Sequence, residues 1–182
     1  MTVPGGIGPW LPVIAVSVAT LPLTYPAYLI RWHQAVQRGA PPSSARRRSL
    51  SEVAMVVGTL PWLWMILTPT SATSELRLIP LIDLIDVLTD RPLTAFFQVV
   101  GNLLVFAAFG FFAPLRWRIS VGAVTLIAAG ASVVVELLQY TLALGRVTSV
   151  DDILLNATGA GLFAILRTLL TPLWARRSGR AI

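Results

Sequence analysis

Hydrophobic residues make up 55% of the 182-residue chain and charged residues only 12%. With a mean hydropathy of +0.76, this sequence cannot assemble a water-facing globular surface. The net charge is +6 and every one of the fourteen basic residues is arginine. They fall in short segments between apolar runs, which points to membrane topology and anionic headgroups and excludes nucleic-acid binding. There is no cysteine and one histidine, so disulfides, thiolate chemistry and a histidine zinc cluster are excluded, and no cofactor or metal is expected.

In chain order, the first apolar run is Leu11 to Ile30. It is uncharged and holds Pro12, Pro22 and Pro26, which predicts a span that is kinked or starts late. It lacks the basic n-region and small-residue cleavage pattern of a signal peptide and is expected to be retained. His33, beside Arg31 and Trp32, reads as an interface anchor. The stretch Arg31 to Ser51, with Arg38, Pro41, Pro42 and the run Arg46 to Arg48, is expected to be a loop. Val53 to Thr68 predicts a short second span, with Trp62 and Trp64 toward one end and Pro69 closing it.

Leu76 to Leu88 is too short and too charged to cross a bilayer. Asp83, Asp86 and Asp90 recur at helical spacing while Leu81, Leu84, Ile85 and Leu88 fill the other face. That pattern predicts an amphipathic helix, either lying on the outer leaflet or packed on the bundle as a loop helix. Phe96 to Leu115, Ile119 to Leu144 and Val150 to Trp174 complete five spans. The links Arg116 to Arg118 and Gly145 to Ser149 are so short that these spans must be antiparallel neighbours. The expected fold is an all-α, polytopic transmembrane helical bundle, with the amphipathic helix between spans two and three.

Alternation of the spans places Arg31, Arg38, Arg46, Arg47, Arg48, Arg116, Arg118, Arg176, Arg177 and Arg180 on one side. Only Arg77, Arg91 and Arg146 fall on the other. The positive-inside rule then predicts a multi-pass plasma-membrane protein with its amino terminus outside and its carboxy terminus cytoplasmic. Arg167 lies near the inner end of the last span, where its stem can snorkel. The expected organisation is a two-span region with an arginine-rich cytoplasmic loop over 1–75, a membrane domain over 76–172 and a basic tail over 173–182.

The chemistry-bearing residues start with Glu136, inside an otherwise apolar helix. An ionisable group at a span centre costs on the order of 2.5–3.5 kcal/mol for aspartate on insertion scales, so something must offset it. Gln139 and Tyr140, three and four residues on, share its face. Asp152 and Asn156 form a second stripe with Gly159, and Gln98 and Asn102 a third. At ~1.5 Å of rise per residue, Asn102 and Asn156 sit about 9 Å from the assigned outer ends and Glu136 about 12 Å. The hairpin between the last two spans brings Arg146 to the same mouth, where it can pair with Glu136, Asp151 or Asp152. These observations predict a polar pocket, built from three helices and open to the outside, lined by Asn102, Glu136, Gln139, Tyr140, Arg146, Asp151, Asp152 and Asn156. Structural readings stand beside it: Ser149 with Asp151 and Asp152 as a helix cap, the asparagines as interhelical hydrogen-bond bridges, and Gly101, Gly122, Gly130, Gly159 and Gly161 as close-packing positions.

The order Leu78-Ile79-Pro80, Gly101-Asn102, Phe106, Phe109-Gly110, Pro114, Glu136-Leu-Leu-Gln139, Gly145-Arg146, Ser149-Val-Asp-Asp152-Ile-Leu-Leu-Asn156 and Gly159 resembles the VanZ-like family. The resemblance runs from about Leu76 to about Leu170 and is most specific from Glu136 to Asn156. The chain departs from the family pattern at Ala108, where proline is common, and at Arg77, where asparagine is common. The resemblance implies a bacterial polytopic membrane protein whose namesake is associated with lowered susceptibility to the glycopeptide teicoplanin, with no settled biochemical activity. Three function classes follow: a non-enzymatic factor that binds membrane lipid, lipid-linked wall precursor or glycopeptide; an intramembrane enzyme using Glu136 or Asp152 as acid or base; and a small transporter or lipid flippase, which the apolar inner halves of the last three spans disfavour.

Overall fold

The computed structural model describes the backbone of residues 11–81, 85, 89 and 92–177, and their side chains apart from 92–94 and 172–177. Helix α1 (Leu11–Gln37) runs through Pro22 and Pro26 without ending. Each proline removes one backbone donor, and in the same stretch Thr20 and Thr24 donate their hydroxyls to the carbonyls of Ser17 and Leu21. Gly39, at φ +82, stops the helix: its N–H bonds Val36 O at 2.9 Å and the Ala40 N–H bonds Ala35 O at 3.1 Å, the two bonds of a Schellman turn.

Helix α2 (Pro42–Leu67) begins only five residues after α1 ends. Arg31 to Ser51 is therefore helix on both sides of a tight turn, and the expected loop is corrected. Pro42 falls at the first helical position, where its missing N–H has no partner to lose, and Arg46 to Arg48 sit in the opening turns.

Strand β1 (Glu75–Arg77) follows, so the helix expected from Leu76 is corrected at its start. Ile85 and Thr89 are helical, with the Ile85 N–H bonded to Leu81 O at 3.0 Å. Asp83, Leu84, Asp86, Leu88 and Asp90 lie outside the described residues.

Helices α3 (Pro92–Val105) and α4 (Ala107–Trp117) form one span broken at Phe106, where ψ swings to 16°. A proline at position 108 is not needed for this break. After a left-handed Arg118, the Ser120 side chain caps α5 (Val121–Thr141) by accepting the Ala123 N–H at 3.2 Å. Helix α5 ends at Thr141, three residues before the expected Leu144, in a turn with Ala143 at φ +47. Strand β2 (Val147–Ser149) pairs in parallel with β1 and leads directly into α6 (Val150–Arg177).

Among the described residues, five helical stretches are long and apolar enough to cross a membrane: Leu11–Gln37, Pro42–Leu67, Ala95–Trp117, Val121–Thr141 and Val150–Thr171. The chain is an all-α, multi-pass membrane bundle. Its apolar exterior fits lipid as solvent; Leu126, for example, is 75% exposed. The packed interior, around Val105, Phe106, Ala113, Val124, Ala128 and Ala160, lies between α2, the end of α3, α4, α5 and α6.

Small residues bring the backbones together. A Cβ on Gly159 would lie 2.1 Å from Leu103 O on α3, and one on Gly110 would lie 2.2 Å from Ala160 O on α6. Gly161 is likewise tight against Thr125, whereas Gly101, Gly122 and Gly130 have open space at that position, so the packing role expected for those three is corrected.

Candidate functional site

Glu136 is 4% exposed, and its partner is not a side chain: carboxylate Oε2 accepts the backbone N–H of Ser149 at 3.1 Å. Ser149 stands immediately before α6, where free N–H groups and the helix dipole favour an anion. Its hydroxyl accepts the Asp151 N–H at 3.1 Å, so the capping reading of this serine holds. Thr148 approaches Glu136 O with its hydroxyl at 3.5 Å, fixing strand β2 against α5.

Each neighbouring polar group ties two elements together. Asn102 of α3 donates to Asp152 Oδ1 of α6. Asn156 of α6 donates to the Ser132 hydroxyl of α5 at 2.7 Å. Gln139 of α5 donates to Ile66 O at the end of α2, also at 2.7 Å. Asp151 is buried and accepts the Leu81 N–H at 2.5 Å, pinning the segment after β1 to the start of α6.

Arg146 does not form an ion pair with Glu136. Its guanidinium donates to Met65 O at 2.7 Å, which also accepts the capping Thr68 N–H at 3.3 Å, and to Thr68 O at 3.2 Å, so it sits on the carbonyl end of α2, where the helix dipole favours a cation. Burial pulls its pKa below the ordinary arginine value, against a smaller opposing pull from the charge of Asp152. Gly145 makes this placement possible. Its φ is +67, and a Cβ would fall 2.5 Å from both Thr70 O and Ala72 O, so only glycine fits.

Of the eight residues read from sequence, seven converge: Asn102, Glu136, Gln139, Arg146, Asp151, Asp152 and Asn156. Tyr140 diverges and is half exposed, because α5 turns Gln139 inward and the next side chain away. Asn102, Asp152 and Arg146 are half-buried, while Ser132, Glu136, Gln139, Ser149, Asp151 and Asn156 are buried. The cluster is rich in acceptors: Gln139 Oε1 and Asn156 Oδ1 are buried with no hydrogen-bond partner among the described residues. Such atoms favour a water, hydroxyl, amide or ammonium donor over an anion.

Ser132, Thr148 and the α2 carbonyls were not in the sequence reading. Nor was a second polar centre at the other end of the bundle. There Glu52 of α2 takes Arg31 of α1, with Nε to Oε2 at 2.6 Å, and also Arg116 of α4. The available signal was plain: Glu52 is the only acid among the first 74 residues. Among the described residues, no group of three or more His, Cys, Asp or Glu is arranged to hold a metal ion.

No curated protein and no solved structure matches the chain. A family model described as VanZ/LLP1 matches residues 53–171. The match starts ahead of Leu76, where the motif resemblance begins, and takes in the stretch of α2 whose carbonyls hold Gln139 and Arg146. Covering well over half of the chain and every residue of the polar cluster, this match makes the protein a member of the VanZ/LLP1 family.

Proposed function

We propose that the protein acts at the outer leaflet of the plasma membrane as a non-enzymatic factor. In this reading its acceptor-rich cluster engages donor groups of an envelope lipid, a lipid-linked wall precursor or a glycopeptide, and so alters antibiotic access in the manner of teicoplanin resistance. The observation that carries the reading is the pair of buried, unpartnered acceptors, Gln139 Oε1 and Asn156 Oδ1, one turn beyond Glu136 and opposite Ser132 respectively. The arginine distribution supports the orientation, with the amino terminus outside and the basic tail cytoplasmic. Sugar and peptide parts of wall precursors and glycopeptides present many hydroxyl and amide donors, which complement such acceptors.

Glu136→Gln tests it. Glutamine keeps an acceptor for the Ser149 N–H and strands no cation, because Arg146 rests on carbonyls. The variant is expected to reach normal abundance in a sensitive Gram-positive host and to lose glycopeptide protection relative to wild type. Lipid extracts decide between binding and the enzyme reading, in which Glu136 or Asp152 serves as acid or base. A lipid species present with wild type and missing with the variant favours catalysis; unchanged profiles favour binding. Full protection by Glu136→Gln at matched abundance removes the carboxylate from the function.

A further inference from the structure

At the end of the bundle away from Glu136, a cavity of about 480 Å³ opens between the start of α2, the end of α4 and the last turns of α6. Its walls carry three guanidinium side chains, Arg46, Arg47 and Arg167, beside the apolar Leu50, Phe112 and Leu170. Its size lies within the range of small-molecule sites, roughly 300–1,000 Å³. No acid lines it. Among the described residues none of the three arginines forms an ion pair, since Glu52 is already held by Arg31 and Arg116. Arg167 instead donates to the Thr171 hydroxyl one turn on, and Arg47 is close enough for the two positive charges to repel.

Like charges gathered without a counter-charge lower the stability of the empty cavity, and an anion reverses that sign. The level fits as well. Arg46 and Arg47 lie in the opening turns of the span Pro42–Leu67, and Arg167 lies one turn from the end of the span Val150–Thr171. Positions this near the ends of spans suit the boundary between headgroups and hydrocarbon, where a guanidinium reaches a phosphate while its stem stays against lipid.

We infer that this cavity binds the phosphate-bearing headgroup of an anionic phospholipid, with the phosphate on Arg46, Arg47 and Arg167 and an acyl chain along Leu50, Phe112 and Leu170. The planar, multi-donor guanidinium suits phosphate oxygens. The apolar walls give a lipid tail a place that a free phosphate cannot use. The site is separate from the Glu136 cluster and does not depend on what that cluster binds.

The test is a titration of the full chain, purified in non-ionic detergent, with phosphatidylglycerol or phosphatidylcholine and read by native mass spectrometry. Wild type is expected to retain phosphatidylglycerol at concentrations where phosphatidylcholine dissociates. The double variant Arg47→Gln, Arg167→Gln is expected to weaken phosphatidylglycerol by about tenfold or more, the scale of one lost charge-assisted contact. Arg38→Gln with Arg118→Gln removes the same charge at the same end outside the cavity, and is expected to change affinity by less than about twofold. Arg47→Lys with Arg167→Lys keeps the charge but not the planar fork and is expected to bind phosphatidylglycerol between wild type and the glutamine pair; affinity below the glutamine pair counts against charge recognition in this cavity. Equal retention of the two lipids by wild type overturns the proposal, as does equal weakening by the two glutamine pairs. Displacement of phosphatidylglycerol by millimolar inorganic phosphate assigns the site to a free anion and overturns the lipid assignment.

Discussion

Gly159→Ala isolates the contact that holds the polar cluster closed. The new methyl group would sit 2.1 Å from Leu103 O, where ordinary contact begins at 3.4 Å, so α3 and α6 must part locally by about 1.3 Å. Leu103 O is main chain and cannot rotate aside. Overpacking of this kind typically costs about 1–3 kcal/mol. The displacement also carries Asn102, the residue before Leu103, away from Asp152. Interhelical hydrogen bonds in membranes average about 0.6 kcal/mol, and an ionised acceptor raises that toward about 1. The expected loss is therefore about 2–4 kcal/mol. Gly101→Ala is the matched control, because its Cβ meets nothing within 4 Å and alanine gains up to about 1 kcal/mol in helix propensity. Reversible unfolding of the detergent-solubilised variants, followed by tryptophan fluorescence, reads both. If Gly159→Ala is as stable as Gly101→Ala, the close approach of α3 and α6 is wrong and the Asn102–Asp152 bridge with it.

Arg146→Lys keeps the charge but replaces a fork that spans two carbonyls with a point donor, so stability is expected to fall by about 1 kcal/mol in the same unfolding assay. An unchanged midpoint would place the Met65 and Thr68 carbonyls outside its role. Glu52→Gln leaves Arg31 and Arg116 without their shared counter-charge; with the carboxylate 18% exposed, a loss of about 1–3 kcal/mol is expected, between surface and buried pairs. A cysteine at Thr73 is expected to react with an impermeant reagent on intact cells, while one at Gly39 and a reporter fused after Ile182 read cytoplasmic. Protection of Thr73 together with labelling at Gly39 reverses the orientation.

The spans were legible because crossing a bilayer is a demand on composition, and hydropathy alone satisfies or fails it. Pro41, Pro42 and the arginine run misled for a specific reason. They carry the marks of a loop, but a proline at the first helical position is a start signal, and only Gly39 in its left-handed turn marks the real boundary. The β1–β2 pair was invisible. Three residues near Leu76 pair with three near Thr148, and neither segment has alternation long enough to register as a strand. Ala143 in a left-handed turn likewise gives no signal that glycine would have given, so hydropathy alone carries α5 three residues past its end at Thr141.

Within the site, depth counted from the helix ends placed the polar residues at one end of the bundle but not their levels: Asn102 meets Asp152, Glu136 meets Ser149, and Asn156 meets Ser132 a turn further in, because the links fix where each helix starts. Azimuth was not sufficient for Tyr140. Positions three and four beyond Glu136 both neighbour it on a helix, and only the packing partner decides which turns inward; here the Ile66 carbonyl takes Gln139. The same limit explains why Glu136 and Arg146, one of three pairings open to this arginine beside Asp151 and Asp152, do not meet. The sequence displays side chains and hides main-chain donors and acceptors, yet Ser149 N–H satisfies the carboxylate and the Met65 and Thr68 carbonyls satisfy the guanidinium. This division matters for function. Because each side chain is met by main chain, Glu136 can be changed without orphaning Arg146, so a loss of activity in Glu136→Gln reports on the carboxyl group itself and not on a broken salt bridge.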